Sequence, residues 1–559
     1  MRRSISVFAL VAVLTLPLAP EAFAQNSSAG AYLAARQAVL EGDHQAAASF
    51  FDDVIGSDAL DPQLVGNAIL ANAAMGQWER ALEIARDVTD ASSIPDLVNL
   101  VVQVDRIRRG DMSEALLAAE EQRGAGPLVD ELSTGWLHLA EGNMSRATDA
   151  FLELATEEGF AGLAWYHLAL ARASVGDFEG ANAILSGEEF GPIQATSRGI
   201  QAHAQTLVQL DRAGDALELL DASLSVISDP VLSALRDEIL EDPTRSYDFI
   251  VTPQQGIAEV FYSLAIGLGS ETGTALPLVY TRAGFAIDPE HIDSVLLSAE
   301  LLTQDGQYEL AIETFSAIPL DHPRHVEAEL GRGSALFELG REDTAAEVLT
   351  ALARAYPTQS TVQSSLADTL RRMERFEGAE AAYTAAIEQI NVEDPRYWVL
   401  FYARGICRER LDLWDQAEAD FRYALELNAD QPQVLNYLGY SLVEQRRNLD
   451  EALGMIERAV AAEPRSGYIV DSLGWVLYRL GRYEEAVAPM ERAVELLPND
   501  SIVNDHLGDV YWKVGRFREA RFQWERALSF EPTEEEAERV RLKLEIGLDR
   551  VLEQESDTQ

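Results

Sequence analysis

Hydrophobic residues recur along most of the chain with the period of an α-helix. Leu473, Leu477 and Leu480 lie three or four residues apart and therefore share one helical face. Gly481 follows them directly, and glycine readily adopts the left-handed conformation that ends a helix. The small residue Ala486 then stands where a second helix would cross the first. The pattern predicts two antiparallel helices joined by a tight turn.

This pattern returns about every 34 residues, which indicates an array of helical hairpins. A turn glycine occurs at Gly42, Gly76, Gly110, Gly142, Gly176, Gly306, Gly340, Gly481 and Gly515. An alanine follows five residues later, at Ala47, Ala81, Ala115, Ala147, Ala181, Ala311, Ala345, Ala486 and Ala520. Larger residues fill the gap between hairpins, at Phe51, Phe151, Phe315, Tyr383, Phe421 and Trp524. Prolines end second helices, at Pro289, Pro323, Pro357, Pro464, Pro498 and Pro532, because the residue before proline resists the helical conformation.

The pattern resembles the tetratricopeptide repeat. The residues that carry the resemblance most completely are Leu507, Gly508, Tyr511, Gly515, Ala520, Trp524, Ala527 and Pro532. The resemblance covers nearly all of the mature chain and implies an all-α, right-handed superhelical α-solenoid. Fourteen repeats begin near residues 28, 62, 96, 128, 162, 197, 258, 292, 326, 360, 398, 432, 467 and 501.

The register of the repeats divides the chain into predicted domains. Residues 25–240 form an N-terminal array of about six repeats, and residues 258–534 form a C-terminal array of about eight. Residues 241–257 carry Pro243 and Pro253 and show no helical period, which predicts an irregular linker or hinge. Residues 535–559 resemble the capping helix and tail that cover the exposed face of a terminal repeat.

Residues 1–24 have the pattern of a signal peptide. Arg2 and Arg3 precede an apolar run from residue 5 to residue 18, and cleavage is expected after the small residue Ala24. A run of about 14 residues is shorter than the roughly 20 that span a bilayer. An uncleaved membrane anchor and twin-arginine export are the alternatives. Because no cysteine directly follows the run, we expect a periplasmic or otherwise exported protein without a lipid anchor or a membrane span in the mature chain.

The charge balance changes the expected partners. The chain of 559 residues carries 44 Lys and Arg against 93 Asp and Glu, which gives a net charge of −49. This field repels nucleic acid and favours basic partners. The single cysteine, Cys407, allows neither an internal disulfide nor a thiolate metal cluster, and its place on a first helix predicts a buried thiol. We expect no metal and no cofactor.

The expected binding surface is the concave face of the C-terminal array. In the tetratricopeptide family the first helix of each repeat lines this face through its second, fifth, ninth and twelfth positions. Carried over to this chain, the resemblance assigns partner binding to Tyr402, Asn436, Tyr440, Tyr468, Asp471, Trp475, Tyr478, Asp505, Asp509 and Trp512. Aromatic rings beside charges are typical of a peptide-binding surface. They predict a protein or peptide partner of basic and apolar character.

The function expected from these observations is a scaffold. The stretches that begin at Leu435, Asp471 and Asn504 resemble a C-terminal block of exported alphaproteobacterial repeat proteins, which implies a non-catalytic adaptor in cell-envelope assembly or maintenance. An architectural role through the convex face or the chain ends is the alternative. A wall-acting hydrolase is a third reading, since Asp505 and Asp509 lie one helical turn apart, but an open groove would keep both carboxylates solvated.

Overall fold

A computed structural model describes residues 20–55, 62–86, 96–121, 123–193, 196–269 and 273–558. Over these ranges the chain forms 31 α-helices and contains no β-strand. The predicted all-α fold of stacked helical hairpins is confirmed. Most of the predicted signal peptide, 1–24, lies outside the described residues. The chain divides into two compact units, Met1–Val348 (unit 1) and Leu349–Gln559 (unit 2).

Unit 1 contains the first 18 helices and the start of the nineteenth. They are α1 (Pro20–Leu40), α2 (His44–Ile55), α3 (Pro62–Ala74), α4 (Trp78–Arg86), α5 (Asp96–Arg109), α6 (Met112–Glu120), α7 (Pro127–Ala140), α8 (Met144–Leu154), α9 (Ala161–Ser174), α10 (Phe178–Leu185), α11 (Ser197–Gln209), α12 (Ala213–Leu224), α13 (Pro230–Glu241), α14 (Pro253–Leu268), α15 (Ala275–Ile287), α16 (Ile292–Gln304), α17 (Tyr308–Ser316), α18 (His325–Glu338) and α19 (Glu342–Ala355).

Unit 2 begins within α19 and contains the remaining helices. They are α20 (Ser360–Arg372), α21 (Phe376–Ile387), α22 (Trp398–Arg410), α23 (Trp414–Leu427), α24 (Pro432–Glu444), α25 (Leu449–Ala462), α26 (Gly467–Arg479), α27 (Tyr483–Leu496), α28 (Ser501–Lys513), α29 (Phe517–Leu528), α30 (Glu534–Ile546) and α31 (Leu548–Thr558). A turn of 3-10 helix at Pro395–Tyr397 precedes α22.

The turn glycines and packing alanines are where the repeat pattern predicts them. All nine turn glycines have positive φ angles, between 71° and 86°, which is the left-handed region that glycine adopts without steric cost. The alanine five residues after each glycine is fully buried, and the six large residues from Phe51 to Trp524 are buried between hairpins. The hairpin geometry therefore follows directly from the sequence.

Unit 1 is not a single file of hairpins, contrary to the expectation from the repeat pattern. Helices α1 to α13 pack in sequence, but α14 packs back against α7 and α9, and α15 packs against α3 and α5. Helices α3, α5, α7 and α9 are the first helices of their hairpins, so α14 and α15 lie on the inner side of the N-terminal array. Trp136 of α7 is fully buried against Gly256 of α14, where an added Cβ would lie 2.3 Å from the indole ring. Glycine is needed there because the two helices approach so closely.

Residues 242–252 of the predicted linker 241–257 connect α13 to α14 and pack against α11. Residues 253–257 belong to α14, so the expectation that they are irregular is wrong. Gln209 Nε2 donates to the carbonyl of Arg245 at 2.7 Å, and Gln205 Nε2 donates to Asp248 Oδ1 at 2.8 Å. Phe249 and Ile250 of the linker are buried. The domain limits drawn from the sequence stay a prediction.

Consecutive helices of unit 2 pack on one another from α20 to α31. First helices of successive repeats also contact each other, α20 with α22, α24 with α26 and α26 with α28. We call the first helices α20, α22, α24, α26 and α28 the inner layer, and the second helices α21, α23, α25, α27 and α29 the outer layer. The last repeat is covered by two helices rather than one, because Gly547 has a φ of 84° and interrupts the helix between α30 and α31. This pair determines how much of the inner layer stays open.

Candidate binding surface

Asp505 and Asp509, the carboxylates predicted to attract a basic partner, form ion pairs with a lysine of the chain itself. Lys543 of α30 is fully buried, and its Nζ lies 2.7 Å from Asp505 Oδ2 and 2.8 Å from Asp509 Oδ1. The indole N–H of Trp524 donates to Asp509 Oδ1 at 3.0 Å. The expectation of open, solvated carboxylates at Asp505 and Asp509 is therefore wrong. A buried cation requires anionic partners, and the fully buried Asp509 and the partly buried Asp505 supply them.

The same C-terminal pair of helices covers Trp512. Its indole N–H donates to Asp549 Oδ2 of α31 at 3.0 Å, and Lys513 Nζ lies 2.5 Å from the other oxygen of this carboxylate. A Cβ at Gly547 would lie 2.7 Å from the Trp512 ring. Trp512 thus packs against the chain's own end, and the expectation that it faces an open groove is wrong.

Tyr478, Trp475 and Asp471 form a closed cluster between α26 and α28. The Trp475 ring stacks on Tyr478 at 4.8 Å and on His506 at 4.0 Å between ring centroids. His506 Nδ1 lies 3.0 Å from Asp471 Oδ2, and Trp475 Nε1 donates to Glu444 at 2.9 Å. Asp471 and Tyr478 are buried, so the expectation that they line an open surface is also wrong. The cluster joins neighbouring repeats.

His506 is held as a cation more readily than an ordinary histidine. Burial alone would lower its pKa, but the nearby charge and hydrogen bond of Asp471 outweigh burial and raise the pKa of His506 above its usual value. A protonated ring stacked on Trp475 gains a further cation–π attraction. The cluster is therefore sensitive to pH.

Tyr402, Asn436 and Tyr440 are half-buried on the inner layer. The Tyr402 ring packs against Tyr437, with 5.8 Å between centroids, and against Phe421. Burial raises the pKa of the Tyr440 hydroxyl, which keeps it neutral. Asn436 Oδ1 is a buried acceptor to which no described group donates. An acceptor of this kind gains free energy when a partner supplies an N–H group.

Of the ten residues predicted to bind a partner, Tyr468 is the exposed one, with 62% of its surface accessible to solvent. Val399 and Ile502, at 46% and 47%, occupy equivalent positions on α22 and α28 and were missed by the sequence reasoning. Exposed Gln433 takes this position on α24. The spacing of 34, 35 and 34 residues could have identified the row, since each residue is the second of its helix. We call Val399, Gln433, Tyr468 and Ile502 the inner row.

The inner side of the N-terminal array holds a buried ionic network that the sequence reasoning also missed. Arg198 Nε donates to Glu259 Oε2 at 2.8 Å, and Arg198 also contacts Asp293. Arg324 donates to Asp293 at 2.6 Å, and His291 Nε2 lies 3.0 Å from Glu259. Burial opposes ionisation, but Arg198 and His291 hold the pKa of Glu259 well below its usual range. Helices α14 and α15 therefore occupy the inner side along α3, α5, α7 and α9.

Two observations concern metal and thiol chemistry in the described part of the chain. Within it there is no group of three His, Cys, Asp or Glu side chains placed to hold a metal ion. Cys407 is buried as predicted, and burial raises the pKa of its thiol to about 11, which disfavours the nucleophilic thiolate. None of the described helices is both long and apolar enough to cross a bilayer.

The tetratricopeptide repeat family matches three segments of the chain, residues 295–360, 365–432 and 437–501. A TPR repeat-containing protein of Pseudomonas aeruginosa is 31% identical over 157 residues, which make up 28% of this chain and 26% of that protein. The chain thus matches about a quarter of the length of this relative.

Solved repeat structures are also similar to the chain. A chain of the APC/C hetero-tetramer Cut9–Hcn1 is 14% identical, with a TM-score of 0.38 over 95% of this chain and 98% of that one. A tetratricopeptide repeat protein from Parabacteroides merdae is 17% identical, with a TM-score of 0.38 over 46% of this chain and 98% of that one.

Proposed function

Because the chain is a tetratricopeptide-repeat protein, we propose that it is an exported, non-catalytic adaptor that binds a protein partner on the inner layer of unit 2. The observation that carries the proposal is the inner row. Exposed apolar side chains at equivalent positions of separate repeats are not needed for stacking, since the stacking positions are the buried ones. Residues exposed in register across helices are suited to contact an extended chain.

The inner row favours an extended peptide segment as its partner. Neighbouring packed helices are about 8 to 10 Å apart, and an extended peptide advances about 3.3 Å per residue. A peptide that crosses the inner layer would thus present roughly every third side chain to the row. Val399, Tyr468 and Ile502 favour apolar side chains at these positions, and the net charge of −49 favours a basic partner during approach.

Site-specific cross-linking tests the binding surface. We expect a photo-reactive residue in place of Ile502 to cross-link to one partner in the native cell envelope, and Tyr468→Ala to lower the yield about tenfold, because exposed aromatic anchors dominate binding energy. Val226, 80% exposed on unit 1, provides the control position and the control substitution Val226→Ala. Equal cross-linking at residues 226 and 502, or no effect of Tyr468→Ala, would contradict the proposal.

The exported location has its own test. Cleavage after Ala24 would leave Gln25 as the first residue of the mature protein. Mass spectrometry of the N-terminal peptide from fractionated cells should identify Gln25 at the N-terminus in the periplasmic fraction. A protein that retains Met1 and stays with the cytoplasm would contradict export.

A hydrolase is a weaker proposal than an adaptor. Both carboxylates considered for it, Asp505 and Asp509, are paired with Lys543 at hydrogen-bond distance. Burial outweighs the nearby ammonium and raises the pKa of the Asp509 carboxyl, but Asp509 is fully buried, so its carboxyl does not face a surface at which a substrate could bind. An architectural role would use a separate surface, such as the outer face of α29, where Phe517 and Phe522 are exposed.

A further inference from the structure

The outer face of α29 carries an unusual set of exposed side chains. Phe517 and Phe522 are 51% and 58% exposed, and every other phenylalanine between residues 30 and 558 is at least partly buried. At 100° per residue, the exposed residues Arg518, Arg521 and Glu525 lie between the two rings on the same face of the helix. We call these five residues the α29 face.

The α29 face departs from the outer helix of the preceding repeat. Position 484 of α27 is glutamate where α29 has Arg518, and position 488 is alanine where α29 has Phe522, although both α27 residues are exposed as well. Stacking does not require the change, because Ala520, Gln523, Trp524 and Ala527 make the buried contacts of α29. The exposed arginine and phenylalanine thus need a reason other than the fold.

Part of the α29 face is held in place by its surroundings. The Phe517 ring meets Trp512 edge to face, with 4.7 Å between centroids. Arg521 Nη1 donates to the carbonyl of Leu544 in the last turn of α30 at 2.7 Å. Binding loses less conformational entropy when its anchors are already ordered, and arginine and aromatic residues are enriched at interface hot spots.

We propose that the α29 face is a second interaction surface, which binds a partner protein through a segment that combines carboxylates with apolar side chains. Two arginines and one glutamate make this face cationic on a chain that carries 93 acidic and 44 basic residues. The net charge of −49 repels both a second copy and an anionic membrane, so a partner protein with only a local acidic patch fits best. This surface lies on the outer layer and does not depend on the inner row.

Peptide binding to the full chain tests the proposal. The probe is a fluorescent 18-residue helical peptide of leucine and glutamate, and an otherwise identical leucine and lysine peptide is its counterpart. Arg518→Glu and Phe522→Ala, which give α29 the residues of α27, should each weaken the leucine–glutamate peptide about tenfold in fluorescence anisotropy. Arg492→Glu on α27 and Leu413→Ala, changes at other exposed positions, should alter binding less than about twofold.

The outcomes separate the possible occupants of the α29 face. Loss of peptide binding in the two α29 variants alone supports the proposal. Failure of the unaltered chain to bind this peptide, or equal loss in Arg492→Glu, overturns it. Flotation with phosphatidylglycerol vesicles that depends on Phe522 would assign the face to a membrane instead. Self-association in light scattering that is lost in Phe522→Ala would assign it to a second copy.

Discussion

At the residue scale, the most consequential contact is the burial of Lys543. The chain has two lysines, Lys513 and Lys543, and the structure treats them differently. Lys543 is fully buried between Asp505 and Asp509, whereas Lys513 pairs with Asp549, whose side chain is 63% exposed. Lys513 therefore provides a matched control for substitutions of the buried Lys543.

We predict that Lys543→Met destabilises unit 2 by about 3 to 5 kcal/mol, because the fully buried Asp509 and the partly buried Asp505 lose their nearest cation and keep only the more distant Arg539, at 3.9 and 3.6 Å. Lys513→Met should cost less than about 1 kcal/mol, since its partner is exposed to solvent. Urea unfolding followed by tryptophan fluorescence measures both. If the two variants unfold at the same urea concentration, Lys543 does not hold the C-terminal helices in place.

The pair of His506 and Asp471 makes a prediction about pH. Since the pKa of His506 is raised in the folded state, the stability it contributes is fully present below its unfolded pKa of about 6.5 and is lost as the pH rises through the folded value. We expect His506→Gln to lower the melting temperature more at pH 5.5 than at pH 9. An equal effect at both pH values would show that stacking on Trp475 matters and the charge does not.

At this scale the sequence predicted the roles of residues that contact near neighbours in the chain, but not contacts between residues far apart in the sequence. The turn glycines and buried alanines follow from hairpin geometry, which involves neighbouring residues only. The partner of Asp505 is Lys543, 38 residues away. No repeat position encodes how far a lysine on a capping helix reaches, so the pattern alone could not show that the carboxylates are occupied.

At the scale of elements, the turn between paired helices tolerates residues other than glycine. Asp211, Glu374, Asp412 and Arg446 have positive φ angles between 55° and 59° at repeats that lack the turn glycine. A left-handed conformation costs a residue with a side chain roughly 1 kcal/mol. The helices that flank these turns are packed well enough to impose it, so the hairpin depends on packing more than on glycine.

Positions where two helices cross closely in unit 2 leave less room for a side chain than the turns do. A Cβ at Gly508 would lie 2.4 Å from the ring of Trp524, which is fully buried, whereas a Cβ at Gly454 would meet nothing within 4 Å. We predict that Gly508→Ala destabilises unit 2 by about 1 to 3 kcal/mol through overpacking. Gly454→Ala should stabilise it by about 0.5 to 1 kcal/mol through helix propensity. Thermal unfolding of the matched pair checks both signs, and a stabilising Gly508→Ala would contradict the crossing geometry.

The packing of α14 and α15 against the N-terminal array was beyond sequence reasoning for a physical reason. A repeat pattern specifies contacts between successive helices, because only those recur in every unit. Arg282 of α15 donates to the carbonyl of Ala74, and Arg198 of α11 binds Glu259 of α14; both contacts occur once. Single long-range contacts leave no period in the sequence.

At the scale of the whole molecule, the chain fills much of its own inner surface. Helices α14 and α15 cover the inner side of the N-terminal array, and α30 and α31 cover the end of the inner layer in unit 2. The proposed binding surface is what remains, between Val399 and Ile502. The repeat pattern assigned the binding residues to the first helices of the repeats, but it could not identify which of these positions are covered by the chain itself.

The acidity of the molecule leads to a prediction about salt. Even if every one of the 44 cations paired with a carboxylate, 44 − 93 leaves a net charge of −49. Repulsion among these charges destabilises the compact state, and salt screens it over about 8 Å at physiological ionic strength. Salt also weakens exposed ion pairs, but each contributes less than about 1 kcal/mol.

We therefore expect the melting temperature to rise by about 2 to 5 °C between 20 and 200 mM NaCl, and equally in KCl if screening is the cause. A melting temperature that falls with either salt would mean that ion pairs outweigh the net repulsion.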